Sequence, residues 1–592
     1  MQTVKERLTK LRELMKHKHI DAWIAPSADS HQSEYVADHW KCRQWISGFT
    51  GSAGTVVVTL EKAGLWTDSR YFLQAEKELA GSGIELFKMG LEGVPSYTQW
   101  LREVLNDQAI VGFDGALLSV AEVDQLIDDL SEKRISLSYN EDLIDQIWPD
   151  RPPVPQNKIF QLADNITGET RQSKITRIRE EIINLGGNAH LITTLDDIAW
   201  TFNLRGSDIA YNPVFIAYAY ISEEKAILFT DLNKIDEDIK NSLQTDGVEI
   251  KEYSEIFGFL RKLNVSKEII LDFNKVSQKL KDAIPDDCQI ISKMNIPMEF
   301  KAIKNTAEIE GFKNAHIRDG VAMVKSLYWL DNNVGKIDMD EVSVADKLAE
   351  IRGENDKFVG LSFETIAGYR ENGAIVHYSA CKETAAKIQA EGVLLIDSGA
   401  QYLDGTTDIT RTISLVKPTG EEKEAFTTVL KGHIGLAKAI FPQGYTGAMI
   451  DTFSRAAIWE KFYNYGHGTG HGVGHFLNVH EGPQQIRPTN HHEIKVGMVH
   501  SNEPGMYLEG KFGIRIENLI VTVVKEENQY GTFLGFDYFT LCPIDLKLIQ
   551  IDRLDKQEKK WLNDYHLKVR EMVSPYLDDN QKAWLVDNTK EV

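Results

Sequence analysis

The chain has 592 residues, with 66 Lys+Arg against 88 Asp+Glu, a formal net charge of −22 at pH 7. That length holds several hydrophobic cores, and 42% hydrophobic with 26% charged residues is the composition of a soluble globular protein. The acidic excess argues against nucleic acid or an anionic membrane as the main partner, and no stretch approaches the roughly 18 apolar residues of a membrane-spanning helix.

In chain order, MQTVKERLTKLRELMKHKH is charged throughout and does not read as a signal peptide. Its apolar positions Val4, Leu8, Leu11 and Leu14 recur at helical spacing and predict an amphipathic helix. Two stretches then follow one plan. A strand over 21–30 precedes Trp45-ISGFT-Gly51-Ser52 and Leu65-Trp-Thr-Asp68. A helix and strand over 176–197 precede Trp200-TFNLR-Gly206-Ser207 and Leu228-Phe-Thr-Asp231. The two tryptophans lie 155 residues apart with identical spacing to Gly-Ser, and the later word is displaced by a further eight, room for one loop insertion. The repeated order predicts two α/β domains of similar fold.

Trp148-PDRPPVPQ-Asn157 carries four prolines and reads as a stiff linker. A second boundary is expected near Met294–Lys301, before the helical run KNTAEIEGFKNAHIRDGVAMVKSLYWLDN, which gives domains of 1–152, 153–297 and 298–592. Cys42, Cys288, Cys381 and Cys542 are too sparse for a disulfide framework, so a reducing, cytoplasmic setting is expected. Asn165-Ile-Thr167 and Asn264-Val-Ser266 fit the glycosylation pattern, which carries no weight without secretion. The tail beyond about residue 550 is charged and helical, with an aromatic pair at Trp561 and Tyr565, and is expected to pack rather than do chemistry.

Four words in the last half hold acids and histidines among apolar or glycine residues. In Val393-LLI-Asp397-SGAQYLDGTT-Asp408-ITRTISL, Asp397 follows four apolar residues and Asp408 opens a second β-prone stretch. Two antiparallel strands joined there would point both carboxylates into one cavity, a costly arrangement that a cation relieves. Tyr465-GHGTGHGVGHFLNVHEGP holds His467, His471, His475 and His480. Glu503 stands before Pro504-Gly505, and Glu517 alternates with Ile514 and Ile516, a pattern that by itself also suits a solvent-facing glutamate. Asp397, Asp408, His471, Glu503 and Glu517 together carry a formal charge of −4, which two divalent cations would cancel. Oxygen-rich ligation with one nitrogen suits Mn²⁺, with Co²⁺, Zn²⁺ and Fe²⁺ as alternatives. Such a pair, about 3.5–4 Å apart, lowers the pKa of a bridging water toward roughly 7 and supplies a hydroxide nucleophile without Ser or Cys. HExxH, GxSxG and GxGxxG signatures are absent from these words.

IDSGAQYLDGTTDITRT, HGTGHGVGHFLNVHEGP, NEPGMY and FGIRIEN closely resemble the motifs of the Xaa-Pro aminopeptidases, pita-bread metallopeptidases related to prolidase and methionine aminopeptidase. SGFTGSAGT, WTDSRYF and NLRGSD resemble the long, three-domain cytosolic form. The resemblance implies two creatinase-like N-terminal α/β domains, an α+β pita-bread catalytic domain with a C-terminal helical extension, and a homodimer. It implies that Asp397 ligates one metal, Asp408 and Glu517 bridge both, and His471 and Glu503 complete the other. It further implies catalytic roles for Glu503, His377 and His480, and substrate binding by His377, His467, His471, His480, Glu503 and Arg70, the last reaching the site from the first domain. Arg515 is expected to orient carboxylates from behind. His475 stands where a small residue is expected and is left open among surface residue, proton relay and adventitious ligand. The implied substrate is a peptide with proline second. Prolidase, which takes only dipeptides, shares the five ligands, and a non-catalytic peptide-binding scaffold remains a further alternative.

Overall fold

The computed structural model describes residues 2–263 and 268–592; the pattern at Asn264–Ser266 lies outside the described residues. The chain forms two compact units, Met1–Leu162 with Glu169–Pro297, and Ala163–Gly168 with Met298–Val592. Among the described residues no helix is long and apolar enough to cross a membrane.

The first unit opens with α1 (Val4–His17), started by a capping box in which Thr3 and Glu6 satisfy each other's backbone N–H groups. Leu8, Leu11 and Met15 face the core. The expected Leu14 is only half-buried, because spacings of three and four from residue 8 put residue 15 on the inner face. The first sheet comprises β1 (Ala22–Pro26), β2 (Thr55–Thr59), β3 (Ala63–Thr67), β4 (Glu85–Lys88), β5 (Ile110–Phe113) and β6 (Ser136–Ser138), in the order β4-β3-β2-β1-β5-β6. After α2 (Arg171–Asn184), the second comprises β7 (Ala189–Ile192), β8 (Ala217–Ser222), β9 (Ala226–Thr230), β10 (Val248–Lys251), β11 (Glu268–Leu271) and β12 (Gln289–Ser292), in the order β10-β9-β8-β7-β11-β12. The orders are the same, and so are the directions: the central three strands pair antiparallel and the outer ones parallel in each sheet. The internal repeat is therefore a repeated fold. Residues 151–159, the proline-rich stretch, hold no helix or strand.

In the second unit, Asn305 and Glu308 cap the long helix α3 (Thr306–Asn333). Two sheets position the site. One is three-stranded, β13 (Ile366–Tyr369), β14 (Val393–Ser398) and β15 (Ile409–Ser414), with β14 in the centre. Helix α4 (Gly420–Ala437) follows β15. The other sheet is six-stranded, running Phe441–Pro442, then Gly531–Tyr538, Asn518–Asn528, Val499–Asn502, Gly470–Gly472 and Glu481–Ile486. Val393, Leu394, Leu395 and Ile396 are 0–4% exposed, and each such side chain contributes roughly 1.5–3 kcal/mol on burial. The chain ends in α5 (Lys556–Val573) and α6 (Asp579–Asp587).

The NLRGSD word has a structural use. Asp208 accepts hydrogen bonds from the Ile216 N–H at 2.7 Å and from Lys234 Nζ at 2.6 Å, and both charged side chains are 0–1% exposed. Lys234→Met leaves Asp208 buried and unpaired and is expected to cost about 3–5 kcal/mol. Thermal unfolding would show this as a lowered melting temperature, and an unchanged one would overturn the reading of that aspartate.

Candidate metal centre

β14 and β15 pair antiparallel with Asp397 opposite Thr410, and Asp408 sits one residue before β15, so the register brings the two aspartates to one end of the sheet. His471 lies in strand Gly470–Gly472, which is squeezed between neighbours. A Cβ on Gly470 would come within 1.9 Å of the Ser501 carbonyl oxygen, and one on Gly472 within 2.4 Å of the Glu481 carbonyl oxygen. The glycines around His471 are there because two strands approach too closely for side chains. Glu503 follows strand Val499–Asn502, its N–H donating to the Thr469 carbonyl at 2.8 Å. Glu517 joins strands Phe512–Arg515 and Asn518–Asn528, its N–H donating to the Thr410 carbonyl at 3.1 Å. Glu517 is 1% exposed, so the solvent-facing alternative is excluded.

Four strand ends thus deliver four carboxylates, and the middle of strand Gly470–Gly472 delivers one imidazole, to one place. His471 Nε2 lies 3.3 Å from Asp408 Oδ2 and 3.7 Å from Glu503 Oε1. Donor atoms of Asp408, His471 and Glu517 all lie within 4.8 Å of one another. His471 Nδ1 is 2.9 Å from the Gly472 carbonyl, which only accepts, so Nδ1 carries the proton and Nε2 faces the carboxylates. Ser501 Oγ accepts the His471 N–H at 3.0 Å and donates to Glu503 Oε1 at 3.3 Å. Arg515 sits behind the acids: Nη2 donates to Asp397 Oδ2 at 2.6 Å, and Nε donates to Thr410 Oγ1 at 3.1 Å, which in turn donates to Glu517 Oε2 at 2.8 Å.

Burial is the largest influence on all three perturbed acids. It raises Asp397, with Asp408 adding to it against Arg515. It raises Glu503 to about 7 against the charges of His471 and Arg515. It raises Glu517 well above the carboxylate range, with Asp408 and Asp397 reinforcing it. Burial opposes the charge of His471, yet Asp408 and Glu503 outweigh it and lift its pKa to about 9. Asp397 Oδ1 is buried with no hydrogen-bond partner among the described residues. Carboxylates that resist ionisation, an imidazole nitrogen aimed at them and an orphaned carboxylate oxygen are a donor set that fits divalent cations.

The histidines divide. The His480 ring meets the His471 ring edge-on at 4.3 Å. His467 Nδ1 is 4.0 Å from Glu503 Oε2 and 2.7 Å from the Gly468 carbonyl, and its Nε2 is 2.8 Å from the Tyr507 hydroxyl. His377 is half-buried in a turn, and the carbonyl of neighbouring Val376 accepts from Arg515 Nη2 at 3.5 Å. His475 is 2% exposed, with Nε2 at 3.0 Å from the Asp404 carbonyl and its ring edge-on to Phe312, so it is a core histidine and not a surface one. Arg70, in the first unit, grips Asp68 with Nε at 2.8 Å and Nη2 at 2.7 Å. Sequence reasoning assigned no role to Thr410, Ser501 or Tyr507. Tyr507, in NEPGMY, accepts from Arg515 Nη1 at 2.8 Å and so ties His467 to the arginine holding Asp397. The period-2 pattern of ITRTIS was the available signal for Thr410.

Residues 7–147 and 150–308 each match the creatinase/prolidase N-terminal domain, residues 310–523 match metallopeptidase family M24, and residues 532–592 match the C-terminal region of that peptidase family. A probable Xaa-Pro aminopeptidase P from Laccaria bicolor is 45% identical, covering 98% of this chain and 92% of the relative. Aminopeptidase P2 from Arabidopsis thaliana is 41% identical over 99% of this chain and 88% of its own. Among solved structures, the X-prolyl aminopeptidase from Caenorhabditis elegans, described as a cytosolic enzyme with a di-nuclear active site, superposes with a TM-score of 0.95 at 34% identity, covering all of both chains.

The shifted groups give the metal-stripped protein a pH signature. Glu503 is raised from 4.5 to about 7, so the folded state keeps a proton that the unfolded chain releases, and the stability this confers is lost as pH rises from about 4.5 to 7. His471, raised from 6.5 to about 9, loses its contribution as pH rises from about 6.5 to 9. Both act in one direction. In chelator, the melting temperature is expected to fall between about pH 5 and 9, and Mn²⁺ is expected to flatten that fall by replacing the protons. A melting temperature in chelator that stays level across that range would overturn this electrostatic picture.

Proposed function

The chain belongs to metallopeptidase family M24, among the Xaa-Pro aminopeptidases, and we propose that it hydrolyses the N-terminal Xaa-Pro bond of peptides with two divalent cations. The observation that carries this reading is the buried convergence of Asp408, His471 and Glu517, with Asp397 and Glu503 beside them. On the family pattern Asp397 would hold one cation, His471 and Glu503 the other, and Asp408 and Glu517 both. Mn²⁺ suits four carboxylates and one imidazole best. Bound there, the cations would supply Lewis-acid polarisation of the scissile carbonyl and a water acidified toward neutral pH.

The protein's own groups do the rest. Glu503, steadied by Ser501, takes the attacking water's proton and passes it to the departing proline nitrogen. His480, against His471, or His377 donates to the carbonyl oxygen as negative charge develops there. Tyr507 receives an N–H from Arg515 and donates its own hydroxyl proton to His467 Nε2, which fixes that ring's orientation toward substrate. A proline in second position removes the N–H that general aminopeptidases use, so a site shaped for the ring gains its specificity there. Arg70 is kept as a peptide-binding residue on the family pattern alone. The same pattern supports domains of 1–152, 153–297 and 298–592, a cytoplasmic location and a homodimer.

Glu503→Ala is expected to lower kcat on an Xaa-Pro-Xaa peptide in Mn²⁺ by about 10²–10⁴-fold, the range of a general base. Turnover near wild type would overturn the role of Glu503. Wild-type cleavage of Xaa-Pro dipeptides alone would replace the reading with prolidase, and metal binding without hydrolysis of either would leave a scaffold.

A further inference from the structure

The C-terminal segment takes no part in that chemistry, yet it reaches the ligand-bearing strands through one buried network. Arg411 on β15 is 2% exposed, and every acceptor its guanidinium meets among the described residues is neutral. Nε donates to the Pro543 carbonyl at 2.9 Å, and Nη1 to the carbonyls of Thr410 at 2.9 Å and Glu517 at 2.7 Å. Nη2 is shared by Asn518 Oδ1 at 2.9 Å, the Cys542 carbonyl at 2.9 Å and the Tyr565 hydroxyl at 2.8 Å. Asn518 carries the chain onward: its Nδ2 donates to His433 Nε2 at 3.3 Å, and His433 Nδ1 donates to the Asn502 carbonyl at 3.1 Å. Asn502 Nδ2 donates back to the His433 carbonyl at 2.9 Å. Burial, with Arg411 adding to it, pushes His433 down to about 3, so its ring stays neutral with the single N–H this pattern needs. Trp561 and Tyr565 of α5 stack at 5.3 Å, and Trp561 meets the His433 ring edge-on at 5.7 Å. The network therefore ends on the backbone of Thr410 and Glu517 on one side and of Asn502, next to Glu503, on the other.

We propose that α5, acting through Tyr565 and Arg411, is a positioning element of the metal centre, holding the backbone that aims Glu503 and Glu517. The inference rests on the two-cation reading above. Loosening the guanidinium leaves buried carbonyls without donors and frees the strand ends that set the ligand directions.

The test uses the full-length protein, stripped with chelator and titrated calorimetrically with Mn²⁺, alongside melting temperature. Arg411→Lys is expected to weaken Mn²⁺ binding about 10–100-fold, the usual effect of losing a group that orients ligands, and Tyr565→Phe to weaken it several-fold. Val573→Ala truncates a fully buried residue of the same helix and is expected to lower the melting temperature while leaving Mn²⁺ affinity unchanged. Wild-type affinity in Arg411→Lys, or in Tyr565→Phe should the lysine variant fail to fold, overturns the proposal. So does a Val573→Ala loss of affinity equal to that of Tyr565→Phe, since packing alone then explains both. A wild-type protein that takes up no Mn²⁺ sinks the two-cation reading itself and the positioning role with it.

Discussion

Four carboxylates brought together in one largely buried pocket set the terms for the catalytic unit. Like charges a few ångströms apart cost little in water and a great deal in a protein interior. Arg515 answers part of the charge by gripping Asp397, and His471 answers more when protonated, but Glu503 and Glu517 are still pushed upward. The pocket is balanced by protons or by cations, and cations favour the ionised form of the acids that burial raises. The same competition that raises the acids is what makes the set a high-charge metal site rather than a hydrogen-bonded cluster.

Holding that set requires a frame that does not relax. The acids come from strand ends, where backbone pairing fixes their directions better than loops would. β14 is buried along its whole length, and its partner β15 carries Thr410 and Thr412, which bond to the Glu517 side chain and to the Arg515 backbone. Residues 515–517 are thereby tied to β15 by side chains where regular pairing has stopped. Arg411, pointing to the other side of β15, ties the same strand to residues 540–565.

Much of this was legible because the decisive residues sit in words whose composition is abnormal. An acid after four apolar residues and histidines alternating with glycines each announce a buried polar group, whereas Glu517, alternating with Ile514 and Ile516, suits a solvent face equally well and is placed only by the fold. The duplicated Trp-to-Gly-Ser spacing announced the repeated fold, which the matching strand orders bear out. What was not legible depends on registers that no local word encodes. Nothing in the β-prone stretch ITRTIS singles out Arg411, yet it is among the most buried large side chains of the described residues. His475 lies in the glycine-histidine word with the site histidines, but it packs against Phe312 and the Asp404 carbonyl. Strand Gly470–Gly472 shifts register against Glu481–Ile486 between His471 and Gly472, a feature of strand pairing that no local word encodes.

The internal repeat also separates structure from function within one motif. In the first copy the Asp68 carboxylate accepts the N–H two residues on, from Arg70, and its carbonyl accepts the N–H three residues on, from Tyr71. In the second copy Asp231 does the same with Asn233 and Lys234. Each turn follows the end of an equivalent strand, β3 or β9. A carboxylate closing its own turn in this way needs no ligand to explain it, and it recurs where no substrate role is expected. The aspartate of TDSR is accounted for by the turn. Arg70, whose counterpart is Asn233, is what the first copy adds, and its guanidinium is gripped by the same aspartate, with Nε at 2.8 Å and Nη2 at 2.7 Å.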